Sequence, residues 1–301
     1  MTDRFRSVTG WSRRGRTSLT GMTTVALLGT GMMGAGMGRS MARAGLSVTV
    51  WNRSADKARE VGLPVAEDPA AAARNADVVV TMLFDFESVA EVMTEALPAM
   101  RPNTVWLQTS TIGLDETTAL ASLAAKHAVS FVDAPVLGTR QPAENGQLTV
   151  LAAGQRDERL DPVLDAISAK VMWVSDKPGD GHRLKLTMNA WLLTTVAGTA
   201  QSLALAEALG LDPQQFLDLI AGGPLDSGYA QLKGKAMLAG EFTPAFALGG
   251  ATKDAGLIRE AAADVGVATD LIAALQRLFG AAGNPADDMS AVIRALRVEE
   301  K

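Results

Sequence analysis

A single lysine stands at the head of a long uncharged segment of the sequence. From Leu186 to Ala206, immediately after Lys185, there are 21 residues without a charge, although an unpaired ammonium group is costly to bury. Asn189 follows one helical turn later and shares a helix face with the lysine. A free lysine titrates at about 10.4, and burial lowers that pKa towards neutrality. From these residues alone, Lys185 is either a general acid/base at an oxygen atom or a lysine that extends its amine to solvent from the start of a helix.

A glycine-rich motif, G-x-G-x-x-G, follows the first predicted strand and opens the first predicted helix. The first glycine permits a tight turn, the second lets the backbone approach a pyrophosphate, and the third lets helix and strand pack closely. Amide groups at the helix N-terminus then face the anion. We predict that a dinucleotide binds here and contacts Gly29, Thr30, Gly31, Met32, Met33 and Gly34.

The residues that end the second predicted strand bear on the choice of nucleotide. In an NAD site an acidic side chain at this point holds the ribose 2′-hydroxyl. The sequence here has Asn52, Arg53 and Ser54 instead, and an amide, a guanidinium and a hydroxyl suit a 2′-phosphate, which a carboxylate would repel. We predict a preference for NADPH over NADH.

The elements that position these residues follow from hydrophobic periodicity. Apolar, β-branched segments alternate with Ala- and Glu-rich helical segments to about residue 180, a pattern that indicates βαβ units and a parallel sheet. After Gly181 only Ala/Leu-rich helical patterns follow. We predict an α/β fold, with a Rossmann-type dinucleotide-binding domain over residues 22–180 and an all-helical domain over residues 181–301. Lys185 would then lie in the crevice between the domains, where ligand pockets form.

Four motifs in this order resemble those of the β-hydroxyacid dehydrogenase family, which includes 3-hydroxyisobutyrate dehydrogenases and glyoxylate/succinic semialdehyde reductases. The resemblance covers nearly all residues from Met22 onward. The loop "GTGMMGAGM" matches the family's glycine fingerprint, and "DAPVLGT" matches its substrate loop. Residues 179–189 match G-x-G-x-x-x-K-x-x-x-N in full, and Lys253–Asp254 match a late K-D pair.

The resemblance implies an NADPH-dependent oxidoreductase that interconverts a small β-hydroxyacid, or another hydroxy compound, and its semialdehyde or ketone. It implies that Lys185 exchanges the proton while the nicotinamide exchanges the hydride. Asp254 would be a structural partner. The substrate residues implied are Gly138, Thr139, Asn189 and Ser110, and the residues implied for the cofactor cleft are Leu83, Thr111 and Lys253.

The substrate loop departs from the family pattern at two positions. Leu137 replaces the serine whose hydroxyl grips a carboxylate in relatives, and Thr139 replaces a glycine. Thr139 and Arg140 are the candidates to replace the lost contact. The loop is closest to the semialdehyde reductase branch, and a bulkier or uncarboxylated substrate stays open.

Three alternatives compete with this interpretation. An imine reductase shares the architecture but usually carries Asp or Tyr where Lys185 stands. A 6-phosphogluconate dehydrogenase has a longer C-terminal helical region. A non-catalytic nucleotide-binding scaffold is the alternative of another class, and the retained lysine argues against it.

Composition limits the partners. The chain has 301 residues, a net charge of −5 and no cysteine, which excludes disulfides and thiolate metal sites. Neither His127 nor His182 has acidic residues at metal-ligand spacing, and we predict no metal. The acidic charge argues against nucleic acid, and the polar residues of the 186–206 segment argue against a membrane span. We expect a cytoplasmic homodimer or homotetramer that acts on small molecules.

Residues 1–21 differ from the rest because they contain five Arg and one Asp. Their "SRRGR" is similar to a twin-arginine signal, but the apolar segment that such a signal requires is here the first strand of the fold. We expect either a start at Met22 or a basic, disordered extension, and an interaction arm is the remaining alternative.

Overall fold

The N-terminal part of the chain forms one twisted sheet. The computed structural model describes residues 22–297. Its strands are β1 Thr24–Leu28, β2 Ser47–Trp51, β3 Val78–Thr81, β4 Val105–Gln108, β5 Ser130–Asp133, β6 Val136–Leu137, β7 Leu148–Gly154 and β8 Ser168–Ser175. The strand order is β2-β1-β3-β4-β5-β7-β6, and β8 pairs with β7. The carboxyl ends of β1 and β3 therefore lie side by side and form one rim of the nucleotide crevice.

The sheet is mixed rather than parallel throughout. Strands β1 to β5 pair in parallel, but β7 runs antiparallel to both β5 and β6. The physical reason is the short connection from Gly138 to Gln147, because a parallel crossover needs about a dozen residues or more. The prediction of a parallel sheet is wrong for this edge, where the chain returns as a hairpin.

Helices cover both faces of the sheet. They are α1 Met32–Arg43, α2 Ala55–Arg59, α3 Pro69–Ala73, α4 Phe86–Ala96, α5 Leu114–Lys126, α6 Arg140–Glu144 and α7 Asp161–Ile167. Asp68 and Asp85 cap the N-termini of α3 and α4 with their carboxylates, which satisfies amide groups that have no partner within the helix. One core lies on each face, so the central strands β1 and β3 are buried on both sides and read as nearly continuous apolar runs.

The C-terminal part is helical. It contains α8 Asp180–Ala208, α9 Gln214–Ile220, α10 Gly228–Ala239, α11 Leu248–Asp264, α12 Asp270–Ala281 and a 3₁₀ helix at Met289–Ala295. These helices share a third apolar core. In the described part of the chain no strand follows Ser175, so a Rossmann-type domain is followed by a helical one. The predicted boundary at residues 180 and 181 falls in the first turn of α8 and stays a prediction.

The uncharged segment of the sequence forms the middle of α8. Its hydroxyl residues donate to carbonyl oxygens one turn back in the same helix, as Thr194 and Thr199 do to Ala190 and Thr195. In residues 22–297 no helix combines the length and apolarity that a bilayer crossing needs. Residues 1–21 and 298–301 lie outside the described residues. The expectations for residues 1–21 therefore stay predictions.

Candidate functional site

The three loop glycines have different physical requirements. A Cβ on Gly29 would lie 2.3 Å from the Met82 carbonyl oxygen, and one on Gly34 would lie 2.0 Å from the Gly29 carbonyl oxygen. Gly29 also has φ +107°, which only glycine adopts readily. A Cβ on Gly31 would meet nothing within 4 Å. The first and third glycines therefore serve packing, while the second leaves open space beside the backbone.

The loop offers hydrogen-bond donors to that space. Helix α1 follows Gly31 without a side-chain cap, so the amide groups of Met32 and Met33 at its start are available to an anion. The Thr30 hydroxyl is buried and has no hydrogen-bond partner within the described chain, although buried polar groups nearly always have one. Open space, free amides and an unpartnered hydroxyl fit the pyrophosphate of a dinucleotide.

Asn52 and Arg53, which follow β2, have different surroundings. The Asn52 side chain accepts from the Thr30 amide at 3.2 Å and donates to the Ser54 carbonyl at 3.1 Å. It ties the glycine loop to β2, and its polar atoms are already engaged. Arg53 and Ser54 are exposed, and within residues 22–297 no carboxylate pairs with the Arg53 guanidinium. Arg53 is thus the group that is open to a phosphate.

Two glycines bring the start of α8 against the sheet. Gly179 has φ +101° and precedes the first helical residue, Asp180. A Cβ on Gly181 would lie 2.4 Å from the Leu151 carbonyl oxygen in β7. Any larger residue at position 181 would push the helix away. The G-x-G spacing therefore sets the depth at which Lys185 lies.

Lys185 is buried, and within residues 22–297 its amine has one hydrogen-bond partner. The side chain is 9% exposed, and Nζ donates to the Val136 carbonyl oxygen at 2.8 Å. Desolvation by burial lowers the pKa of Lys185 to about 8, with Asp254 acting to raise it and Lys253 to lower it further. Such an amine can both give and take a proton near neutral pH.

A chain of polar contacts joins α8, α11 and the loop after β4. Asn189 is buried and donates through Nδ2 to Asp254 Oδ2 at 2.7 Å. Asp254 Oδ1 lies 2.9 Å from Lys253 Nζ, which donates to the Thr111 carbonyl oxygen at 2.6 Å. Asp254 therefore contacts both neighbours, and its role as a structural partner stays a prediction. The contacts bring Asn189, Lys253 and Thr111 together across the crevice.

Ser110 lies below the surface at the rim of the crevice. Ser110 is fully buried, and its hydroxyl accepts from the Leu83 amide at 2.8 Å. This contact supports the Leu83 backbone and engages the Ser110 hydroxyl. A substrate contact at this position would therefore come from the neighbours of Ser110 more than from its own hydroxyl. Phe84, which the sequence analysis passed over, is exposed, and Lys253 Nζ lies 5.7 Å from its ring centroid.

The substrate loop lies directly beyond the carbonyl that binds Lys185. Leu137 is half-buried, and Gly138 is exposed with φ +132°, a conformation that favours glycine. Thr139 precedes α6 without capping it, which leaves its hydroxyl available. Arg140 is exposed at the start of α6. Gly138 and Thr139 thus follow the carbonyl at Val136 that binds the Lys185 amine.

His182 has contacts that the sequence motifs did not predict. It is fully buried, its Nδ1 bonds to Asp133 Oδ1, and its Nε2 faces the segment Ser110–Ile112. The signal in the sequence was its place inside the G-x-G-x-x-x-K motif, three residues before Lys185. Its partners lie at the end of β5 and in the loop after β4, which a motif does not reveal.

Comparisons with known proteins cover almost the whole described chain. The family model described as the NAD binding domain of 6-phosphogluconate dehydrogenase matches residues 24–175. The model described as NAD-binding of NADP-dependent 3-hydroxyisobutyrate dehydrogenase matches residues 179–296. Together they correspond to the sheet-containing part and the helical part.

Individual relatives agree with these models. The chain is 30% identical over 288 residues to the chloroplastic glyoxylate/succinic semialdehyde reductase 2 of Arabidopsis thaliana, covering 92% of this chain and 80% of that protein. A 3-hydroxyisobutyrate dehydrogenase structure from Mycobacterium tuberculosis superposes with a TM-score of 0.82 at 31% identity, over 92% of this chain and 100% of that one. An imine reductase from Myxococcus stipitatus shares the fold, with a TM-score of 0.63 and 19% identity over 91% and 99% of the two chains. The chain belongs to the β-hydroxyacid dehydrogenase family of NAD(P)-dependent oxidoreductases.

Proposed function

We propose that the protein is an NADPH-dependent reductase that converts a small semialdehyde or ketone into its hydroxyacid, and catalyses the reverse reaction. The observation that carries this proposal is the buried amine of Lys185, with a pKa of about 8, hydrogen-bonded beside the substrate loop. A lysine in this state suits proton exchange with an oxygen atom whose charge changes during the reaction.

Lys185 would act on the substrate oxygen. A bound nicotinamide supplies the hydride in reduction and accepts it in oxidation. In reduction Lys185 Nζ gives a proton to the oxygen as it becomes an alkoxide, and in oxidation the neutral amine takes the hydroxyl proton. The Val136 carbonyl oxygen holds the amine in the meantime, so the lysine needs little reorganisation when substrate arrives.

Asn189 and Asp254 would control the electrostatics of this amine. Asp254 stabilises the protonated form of Lys185 by its charge, and Lys253 opposes it. Asn189 is held by Asp254, which fixes its amide one helical turn from Lys185, where it can bind either the amine or the substrate oxygen. The network keeps the proton donor ionisable in a buried place.

The substrate loop supports a small substrate with a carboxylate at one end. The exposed backbone at Gly138 and the hydroxyl of Thr139 can hold carboxylate oxygens, and Arg140 adds positive charge nearby. The half-buried Leu137 adds apolar surface, which favours a substrate with an additional alkyl group. The names of the relatives agree with this class, because they include semialdehyde and glyoxylate reductases and a dehydrogenase solved with L-serine.

Arg53 and Ser54 support the preference for NADPH over NADH. Both are exposed at the end of β2, and a guanidinium binds a 2′-phosphate through two parallel hydrogen bonds. The Asn52 side chain is engaged with the glycine loop, so we assign it the shaping of the site. Arg53→Ala should raise the dissociation constant for NADPH and leave that for NADH nearly unchanged, and equal effects on both would contradict the preference.

One screen tests the function. NADPH oxidation by the full chain is measured against small semialdehydes, glyoxylate and cyclic imines, with Lys185→Met as the inactive control. Turnover of a semialdehyde that disappears in Lys185→Met supports the proposal. Turnover of a cyclic imine alone would assign an imine reductase, and cofactor binding without any turnover would favour the non-catalytic scaffold.

We also propose a homodimer or homotetramer in the cytoplasm. The helical part exposes large apolar side chains, and contiguous exposed apolar surface marks interaction sites. These side chains are Trp191, Leu205, Leu209, Leu219 and Leu232. Light scattering coupled to size-exclusion chromatography measures the mass, and Trp191→Glu should reduce it. A monomeric wild-type protein would overturn this proposal.

A further inference from the structure

The imidazole of His182 lies between the catalytic helix α8 and the sheet. Its Nδ1 bonds to Asp133 Oδ1, and its own amide donates to Asp133 Oδ2 at 3.1 Å. The Gly179 amide donates to the same oxygen at 2.8 Å. A carboxylate offers only lone pairs, so the ring nitrogen that faces it must carry a hydrogen. Asp133 therefore orients the ring and anchors the start of α8 at the same time.

The opposite ring nitrogen contacts the segment that follows β4. Nε2 lies 3.2 Å from the Ile112 amide and 3.0 Å from the Ser110 carbonyl oxygen. The neutral ring accepts the hydrogen bond from Ile112, and the doubly protonated ring donates one to Ser110. Both contacts fall on Ser110–Ile112. The ring is thus linked to this segment in either protonation state.

The segment Ser110–Ile112 supports the residues assigned to the cofactor cleft. The Ser110 hydroxyl accepts from the Leu83 amide at 2.8 Å, and the Thr111 carbonyl accepts from Lys253 Nζ at 2.6 Å. Movement of this segment would displace Leu83, Thr111 and Lys253 together. His182 is three residues before Lys185 on the same helix, so its ring joins the helix of the proton donor to the wall of the cleft.

We propose that His182 is a positioning residue that holds Ser110–Ile112 in register with the start of α8, and so aligns the cofactor cleft with Lys185. This rests on the proposed roles of Lys185 and of the cleft residues. At metal sites, groups that orient the ligands from behind typically contribute about 10–100-fold to affinity or activity, and we take the lower end of that range as the scale for His182. A displacement of about 1 Å at a reacting centre can cost about 100-fold in rate.

Two conservative variants separate this role from a structural one. Asparagine places its polar atoms where Nδ1 lies, and glutamine places them where Nε2 lies. His182→Asn therefore keeps the bond to Asp133 and loses the one to the segment, while His182→Gln does the reverse. The dissociation constant for NADPH is measured by calorimetric titration of the full chain, together with the Tm of each variant without cofactor.

We expect His182→Asn to weaken NADPH binding roughly tenfold while its Tm stays closer to wild type than that of His182→Gln. His182→Gln should bind NADPH within about threefold of wild type, because its amide can accept from Ile112 or donate to Ser110. Equal changes in both variants that follow Tm, or unchanged binding in His182→Asn, would overturn the proposal.

A measurement on the wild-type protein keeps the inference testable if the variants do not fold. The chain has only two histidines, so ¹⁵N spectra of the labelled rings can be assigned with a His127→Gln variant. We expect His182 to carry a hydrogen on Nδ1, and a ring with a bare Nδ1 would overturn the proposal. Lys185→Met in the same titration should bind NADPH normally. Full activity of that variant would refute the proposed role of Lys185, whereas the NADPH affinities of the two His182 variants test the positioning of the cleft separately.

Discussion

Two buried lysines of the helical part have opposite surroundings. Lys185 is 9% exposed and Lys233, in α10, is 4% exposed. Lys233 Nζ donates to both carboxylate oxygens of Asp288, at 2.7 and 2.9 Å, whereas Lys185 Nζ donates to a single backbone carbonyl. Only Lys233 has a full countercharge. Burial by itself therefore does not distinguish a structural lysine from a reactive one.

The partner of Lys233 shows what a satisfied buried ion pair requires. Burial acts to raise the pKa of Asp288, but hydrogen bonds from Lys233, Ser290 and Ala245 outweigh it, and the pKa lies below its ordinary value. The hydrogen bonds to Asp288 therefore favour its charged state. At Lys185, in contrast, burial dominates and brings the pKa down to about 8. A buried amine without a full countercharge is costly, and this cost is consistent with the catalytic role that we propose for Lys185.

Removal of the Lys185 amine should have the largest effect on turnover. Lys185→Met is expected to lower kcat by about 10²–10⁴-fold, the range for a positioned proton donor, because the substrate oxygen loses its acid. Steady-state rates on the substrate from the screen measure this. Lys235→Met, an exposed lysine in α10, is the matched control and should be fully active. A Lys185→Met enzyme with wild-type kcat would end the distinction between the two lysines.

Removal of the structural amine should instead affect folding. Lys233→Met leaves Asp288 buried without its countercharge, which typically costs about 3–5 kcal/mol of unfolding free energy. Urea denaturation measures the loss, again with Lys235→Met as the control. At temperatures where the variant is folded, kcat should remain near wild type. Loss of kcat without loss of stability would place Lys233 in the chemistry.

The pH dependence of the rate sharpens the comparison. With a pKa of about 8 for Lys185, reduction needs the protonated amine and should slow about tenfold per pH unit above that value, whereas oxidation should accelerate as pH rises through it. Because Asp254 acts to raise this pKa, Asp254→Asn should move both midpoints to lower pH. Rate profiles in the two directions test this. Midpoints that do not move would mean that another group titrates.

The smallest effect is expected when both members of the Lys233–Asp288 ion pair are replaced by uncharged residues. Lys233→Met combined with Asp288→Asn should recover about 1–2 kcal/mol of the stability lost in Lys233→Met alone, because no unpaired charge remains. The recovery is partial, since Asp288 also accepts from backbone amides of Ala245, Phe246 and Ser290. Denaturation of the single and double variants compares them directly. A double variant less stable than the single one would show that the hydrogen bonds from these amides to the carboxylate outweigh the cost of its unpaired charge.

Some features of the site were readable from the sequence because they depend on local backbone requirements. Gly29 and Gly179 adopt positive φ, and Gly34 and Gly181 sit where a Cβ would meet a carbonyl oxygen. Spacing alone marks such positions. The mixed edge of the sheet escaped prediction, because the pairing of β7 with β5 and β6 depends on how the chain returns after Leu137.

The sequence by itself determined the nucleotide loop, the order of the sheet-containing and helical parts, and a lysine at the head of an uncharged helical segment. These follow from glycine spacing, hydrophobic periodicity and the cost of burying charge, all of which act over neighbouring residues. Only the tertiary structure decided the partners of the polar groups. His182 with Asp133, Asn189 with Asp254 and Lys253 with Thr111 are separated by 49, 65 and 142 residues. Such pairs exist only once strand order and helix packing have brought distant segments together.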